Sequence, residues 1–396
     1  MNRPPLEVAD ILRQVGKGFI EKSRRWLSWQ HVRVLRAIQN CRTAALGGHK
    51  DRCSQCGHQA ISFNSCRNRH CPKCQTNARD EWLAARTSEV LPVPYFHVVF
   101  TVPQELAAIG LQNKGFFYEL LLRISADTML EVAANPNHLG AQIGFLSVLH
   151  TWGQNLLHHP HVHCVVPAGG LSEDHSQWKR TSSPRFFLNV DVLSRVFRGK
   201  FKEAVKEAFQ RHQISFHGQL SHLADPKHFA RLIRSLYRQK WVVYAKAPFG
   251  GPEHVLQYLA RYTHRIAISN HRLLSFDGQN VTFRWKDYAH GNKKRKMTVA
   301  ADEFLRRFLL HVLPPGFVRI RHYGFLANRR RTAALALCRK LIGEAASPRD
   351  ESIKTAGSQS QWSCPKCSGP MLLIERLTAP QIIRALSYER CVLDSS

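Results

Sequence analysis

Residues 155–170 read Asn-Leu-Leu-His-His-Pro-His-Val-His-Cys-Val-Val-Pro-Ala-Gly-Gly. Cys164, Val165 and Val166 favour a strand, and Pro160 suits its start. Successive side chains on a strand point to opposite faces. His161 and His163 therefore share one face, while Val162, Cys164 and Val166 share the other. The apolar face reads as core. The other face carries two imidazoles at a spacing that can grip one metal ion, although a plain polar face has the same pattern. Gly169 and Gly170 end the strand.

The neighbouring stretches supply the sheet around it. Residues 145–152 (FLSVLHTW) predict a strand that pairs antiparallel with the histidine strand. Gln154, at the end of that strand or in the loop beyond, is a candidate third ligand through its carbonyl oxygen, with His150 as the competing choice. Tyr95 to Val102 (YFHVVFTV) and Trp241 to Ala247 (WVVYAKA) predict further strands. Leu111–Ala134, Lys200–Arg211 and Lys227–Gln239 predict helices. Strands close in sequence, interspersed with amphipathic helices, indicate an α+β fold: an antiparallel sheet with packed helices.

Lys and Arg number 57 against 28 acidic residues, a net charge of +29, which makes a polyanion the natural partner. No apolar run approaches a membrane span, and the first residues do not read as a secretory signal. The bases are mixed with aromatics rather than gathered on one amphipathic helix. Nucleic acid is therefore expected rather than a membrane, in a cytoplasmic protein that joins the nucleoid when bound to DNA.

Six of the 11 cysteines fall between Cys41 and Cys74, in metal-type spacing rather than a disulfide framework. Cys53-Ser-Gln-Cys56 and Cys71-Pro-Lys-Cys74 are two knuckles separated by 14 residues. Four thiolates from such knuckles close a tetrahedral structural zinc site with no open position. Cys41, His49, Cys66 and His70 lie close enough in sequence to form a second site or to replace one thiolate. Residues 5–40 predict helices with apolar stripes and several arginines. Residues 1–92 thus read as a helical and zinc-ribbon DNA-binding module, 93–342 as an α+β domain with a basic DNA-binding C-terminal part, and 343–396 as a flexible linker and unassigned tail. Within that tail, Cys364-Pro-Lys-Cys367 is a single knuckle without evident partners.

Pro252 after Gly250-Gly251 opens a predicted helix carrying Tyr258 and Tyr262, four apart and so on one face. The same periodicity suits a core-facing stripe.

Taken in order, four motifs resemble the rolling-circle insertion-sequence transposases of the HUH, two-tyrosine class. They are residues 64–75 (NSCRNRHCPKCQ), 152–170 (WGQNLLHHPHVHCVVPAGG), 258–265 (YLARYTHR) and 321–330 (RHYGFLANRR). The resemblance spans the chain to about residue 342 and implies an HUH nuclease-like domain behind an N-terminal zinc module. It implies that His161 and His163 hold catalytic Mg²⁺ or Mn²⁺; the motifs do not fix the third ligand, for which Gln154 and His150 are the candidates. It further implies that Tyr258 and Tyr262 are the nucleophiles and that Cys53, Cys56, Cys71 and Cys74 bind structural Zn²⁺. The reaction would be cleavage and rejoining of single DNA strands at element ends through a 5′-phosphotyrosine, with single-stranded or hairpin ends and target DNA as partners. A relaxase or replication initiator would share that chemistry, whereas a non-catalytic zinc-dependent regulator would use only the ribbon and the basic surface. Trp285, Lys286, Tyr288, His290, residues 293–296, Arg319, Arg321, Tyr323 and residues 329–331 suit stacking and phosphate neutralisation.

Overall fold

The computed structural model describes residues 4–75, 82–83, 86–183, 186–246, 266–287, 290–343, 362–388 and 392–394. The first elements are α1 (Val8–Lys22), α2 (Trp29–Gln39), β1 (Gly48–Cys53), β2 (Gln59–Phe63) and β3 (Tyr95–Thr101). Then come α3 (Gln104–Gln112), α4 (Lys114–Ala134), β4 (Gly144–Trp152), β5 (His158–Pro167), β6 (Gly169–Leu171) and β7 (Trp178–Arg180). Next are α5 (Val190–Gln210), α6 (Pro226–Arg238), β8 (Val243–Lys246), β9 (Leu273–Phe276), β10 (Asn280–Asp287) and β11 (Lys293–Ala300). The last are α7 (Ala301–Leu310), β12 (Ile320–Gly324), α8 (Arg331–Ile342), β13 (Met371–Leu377), α9 (Ala379–Tyr388) and β14 (Val392–Asp394).

The chain folds as two compact units. One gathers Met1–Ala78, Ile268–Val312 and Pro348–Ser396; the other gathers Arg79–Ala267 and Leu313–Ser347. This corrects the consecutive division at residues 92 and 342. Residues 268–312 fold with the N-terminal helices because the Val8 N–H donates to Asn270 Oδ1 at 3.2 Å and Lys22 pairs with Asp302 at 3.3 Å. The tail is a structural part of the same unit: β13 lies antiparallel on β1, with Cys53 opposite Met371. The linker expected at 343–361 falls outside the described residues apart from Gly343.

In the second unit a five-stranded sheet runs in the order β12-β4-β5-β3-β8. Each neighbouring pair is antiparallel. Every residue of β4 is buried, as expected for an inner strand covered on both faces. Phe96, Val98 and Phe100 of β3, Val162, Cys164 and Val166 of β5, and Phe145 and Leu149 of β4 form one face. They pack on Phe117, Tyr118 and Leu121 of α4 and Phe197, Phe201 and Val205 of α5. Trp241 closes this core edge-on, with its ring 5.4 Å from Phe197 and 5.5 Å from Phe201. On the opposite face Leu146, Val148 and Val165 are covered by Phe325, Leu326, Leu335 and Cys338.

The helix predicted from Leu111 to Ala134 is interrupted. Asn113 leaves helical geometry at φ −120° and ψ 43°, and its side-chain amide clamps Ser215 instead. Its Nδ2 donates to the Ser215 carbonyl at 2.8 Å and its Oδ1 accepts the Ser215 N–H at 2.9 Å. Asparagine readily trades helical backbone for such side-chain bonds. At the end of β12, Gly324 has φ +60°, and a Cβ there would sit 1.7 Å from the Ile143 carbonyl oxygen. Only glycine permits that approach.

Candidate metal centre and basic hairpin

Both strands predicted to bear the histidines form where expected, and their register assembles the site. His161 lies opposite His150 on β4 and opposite Thr101 on β3. His163, two residues along β5, lies on the same face. Ring nitrogens of His150, His161 and His163 all lie within 4.8 Å of one another. The His150 and His163 rings are 4.3 Å apart and the His161 and His163 rings 4.8 Å apart. His150, the competing choice of the sequence reading, is thus the donor that the sheet brings alongside the pair. Gln154 lies in the turn between β4 and β5, beyond the strand register that aligns the imidazoles.

Two contacts orient the rings. His161 Nδ1–H donates to the His159 carbonyl at 2.7 Å, which leaves Nε2 as the lone-pair nitrogen. His163 Nδ1 is 2.7 Å from His97 Nε2, and the two rings stack at 4.9 Å. A second hydrogen bond on the remote nitrogen is the usual way of fixing a ligating imidazole. His97 has its pKa lowered to about 3, first by burial and then by the charges of His161 and Lys246, so it stays neutral. Sequence reading missed His97. Its signal was a lone polar residue in an apolar strand, on the same parity as Val99 and Thr101. Three clustered imidazoles suit a divalent transition ion, which they would bind in their neutral form, so the donor set fits a metal. His158 is not part of this group: its Nε2 meets the Tyr118 hydroxyl at 2.8 Å. Tyr258 and Tyr262, the expected nucleophiles, lie outside the described residues.

The eight thiols divide differently from the predicted single ribbon. Cys71 and Cys74 cluster with Cys41 and Cys66, whereas Cys53 and Cys56 cluster with Cys364 and Cys367. The reason is topological. The 14 residues between the knuckles run through β2 and return the chain to the end of α2, beside Cys41. There Cys74 Sγ is 3.5 Å from the Sγ atoms of both Cys41 and Cys66. A buried ion pair, Lys73 to Glu7 at 2.7 Å, ties this knuckle to the start of α1. The shared side-chain hydrogen bonds of this cluster lower the Cys41 and Cys74 thiols and raise those of Cys66 and Cys71.

The basic residues also sort themselves. In the β10–β11 hairpin, Arg284 lies opposite Lys296 and Lys286 opposite Lys294. The alternate face buries Val281 and Phe283, the latter against Phe304 of α7 at 6.0 Å. One face of the hairpin is therefore a stripe of four cations in like-charged cross-strand pairs. Arg295 falls on the other parity and pairs with Asp287 at 3.1 Å. Arg319 and Arg321 do not join such a surface. Arg319 is buried, and Arg321 grips Glu119 through both its terminal nitrogens at 2.5 and 2.6 Å. Arg331 pairs with Glu89 at 3.4 Å. Tyr288 lies outside the described residues. No described helix is long and apolar enough to cross a membrane.

Residues 144–333 match the family described as "Putative transposase", and residues 11–102 match "Transposase zinc-binding domain". The chain is 52% identical over 385 residues to "Putative transposase y4qJ" of Sinorhizobium fredii, covering 95% of this chain and 96% of that protein. It is 28% identical over 304 residues to "Transposase for insertion sequence element IS801" of Pseudomonas savastanoi pv. phaseolicola, covering 75% and 70% respectively. The chain belongs to the family of rolling-circle insertion-sequence transposases with an N-terminal zinc-binding domain.

Proposed function

We propose that this transposase cuts and rejoins single DNA strands at the ends of its element through a 5′-phosphotyrosine on Tyr258 or Tyr262. The observation that carries this reading is the group formed by His150, His161 and His163 on one face of an antiparallel sheet. A Mg²⁺ or Mn²⁺ ion held there would polarise the scissile phosphate and offset charge in the transition state. Magnesium prefers oxygen donors, so three nitrogens favour manganese, and Gln154 is the candidate for an added oxygen ligand.

The remaining roles belong to the chain's own residues. His159, through its carbonyl, and His97, through its ring, each hold one imidazole by its Nδ1, so that the other ring nitrogen would serve the metal. A tyrosine phenol has a pKa of about 10 and must lose its proton as it attacks. The new bond joins Tyr Oη to phosphorus, the bond from phosphorus to the 3′ oxygen breaks, and that oxygen takes up a proton. The phosphodiester energy stays in the phosphotyrosine, so a 3′-hydroxyl rejoins the strand by the reverse attack without ATP. A second tyrosine holds one strand while the other is resolved. In-line attack needs an accessible strand, which favours single-stranded or hairpin ends. The hairpin cations suit the phosphate backbone of element or target DNA in the cytoplasm.

The test is a denaturing gel of the protein with labelled single-stranded element ends and Mn²⁺. A protein-linked band that requires metal, His161 and at least one of the two tyrosines is expected. Binding without a covalent product would favour a zinc-dependent regulator. Free nicked DNA from the Tyr258→Phe, Tyr262→Phe double variant would point to a phosphoesterase without a covalent intermediate.

A further inference from the structure

We propose that Cys53, Cys56, Cys364 and Cys367 hold a zinc ion of their own, so that the protein carries two structural zinc ions and the C-terminal knuckle completes the N-terminal module. Cys53 and Cys367 Sγ lie 3.4 Å apart and Cys56 and Cys364 Sγ 3.6 Å apart. A tetrahedral site with Zn–S of about 2.3 Å has sulfur–sulfur edges of roughly 3.8 Å. A disulfide would bring sulfurs to about 2.05 Å, and these four are free thiols.

The two knuckles are near copies in backbone bonding. The Cys53 N–H donates to the His58 carbonyl at 2.7 Å, and the Cys364 N–H to the Gly369 carbonyl at 2.7 Å. The Gly57 N–H returns to the Cys53 carbonyl at 3.1 Å, and the Ser368 N–H to the Cys364 carbonyl at 2.8 Å. Both turns close through a left-handed residue, Gly57 at φ +71° and Ser368 at φ +59°. In the second knuckle the Lys366 N–H points at Cys364 Sγ and the Gly369 N–H at Cys367 Sγ, each at 3.4 Å. Such amide donors stabilise thiolate sulfur. The Ser54 N–H donates to the Pro370 carbonyl at 3.1 Å, so the knuckles are joined by backbone as well as by sulfur.

The surrounding core is small: Cys53, Ala60, Cys364 and Met371, with Trp362 partly buried against them. With so little apolar contact, the metal would be the main reinforcement of the β1–β13 backbone pairing between segments far apart in sequence. Cys56 and Cys367 are exposed, whereas Cys41, Cys71 and Cys74 of the other cluster are buried. The tail-bridging ion is therefore the one a chelator removes first.

Metal analysis of the full-length protein tests the proposal. Two zinc ions per chain are expected, falling to one in Cys364→Ser, Cys367→Ser and to one in Cys53→Ser, Cys56→Ser. Graded chelation of the unaltered protein should release one ion before the other, together with new tryptic cuts within residues 362–388. That measurement needs no variant to fold. One zinc in the unaltered protein, or two in the tail variant, would overturn the proposal.

Discussion

Replacing Arg284, Lys286, Lys294 and Lys296 together by glutamine should weaken DNA binding and stabilise the fold at once. The four side chains share one face of the β10–β11 hairpin, two and two across the strands. Each cation that neutralises a phosphate contributes about 0.7 to the dependence of log K on log salt for single strands, and about 0.9 for duplex. If all four lie on the backbone, the slope should fall by nearly 3 for single-stranded ends. Like charges directly opposite on antiparallel strands cost roughly 0.2–1 kcal/mol per pair. Two such pairs are relieved, so the variant should unfold at a slightly higher temperature. Fluorescence anisotropy with labelled element ends at several salt concentrations reads the first effect, and thermal denaturation the second. An unchanged slope would refute the assignment of this face to DNA. A lower melting temperature would show that the cations are structural.

Further outcomes follow from the same geometry. His150→Ala should abolish metal-dependent cleavage, while Gln154→Ala should retain a measurable rate; the reverse order, in a gel assay with Mn²⁺, would restore Gln154 as the principal third ligand. Manganese titrations of His97→Phe should show roughly 10–100-fold weaker metal affinity with the strands still paired, because only the orientation of His163 is lost. Burial first, with nearby cations second, lowers the pKa values of His158 and His322 to about 4 from an unfolded value near 6.5. The unfolded chain then binds more protons, so stability should fall as pH drops from about 6.5 towards 4, as acid titration of the melting temperature would read. Gly324→Ala should destabilise the protein by several kcal/mol or prevent folding, since its Cβ meets the Ile143 carbonyl and its φ is positive; a melting temperature within a degree of the parent would contradict this.

Much of the central sheet was legible because its strands carry local signals. The apolar run in β4, the proline-bounded run in β3 and the alternation in β5 each follow from side-chain period alone. The helix ending at Ala134 was found, but its interruption at Asn113 depends on Ser215, which no local pattern discloses. Likewise the arginines of the RHYGFLANRR run suit DNA contact by sequence alone. Arg321 is instead held by Glu119, and Gly324 is there for backbone clearance.

Local pattern is enough to put two imidazoles on one strand face, to group cysteines into metal-binding knuckles and to make a polyanion the partner. These are properties of spacing and composition, carried by a few adjacent residues. Which partners complete each group is a matter of the folded chain. Strand register sets His150 beside His161, and β13 lying on β1 brings Cys364 and Cys367 to Cys53 and Cys56. Ligation and pairing depend on distances in space, and those are set by how remote strands align.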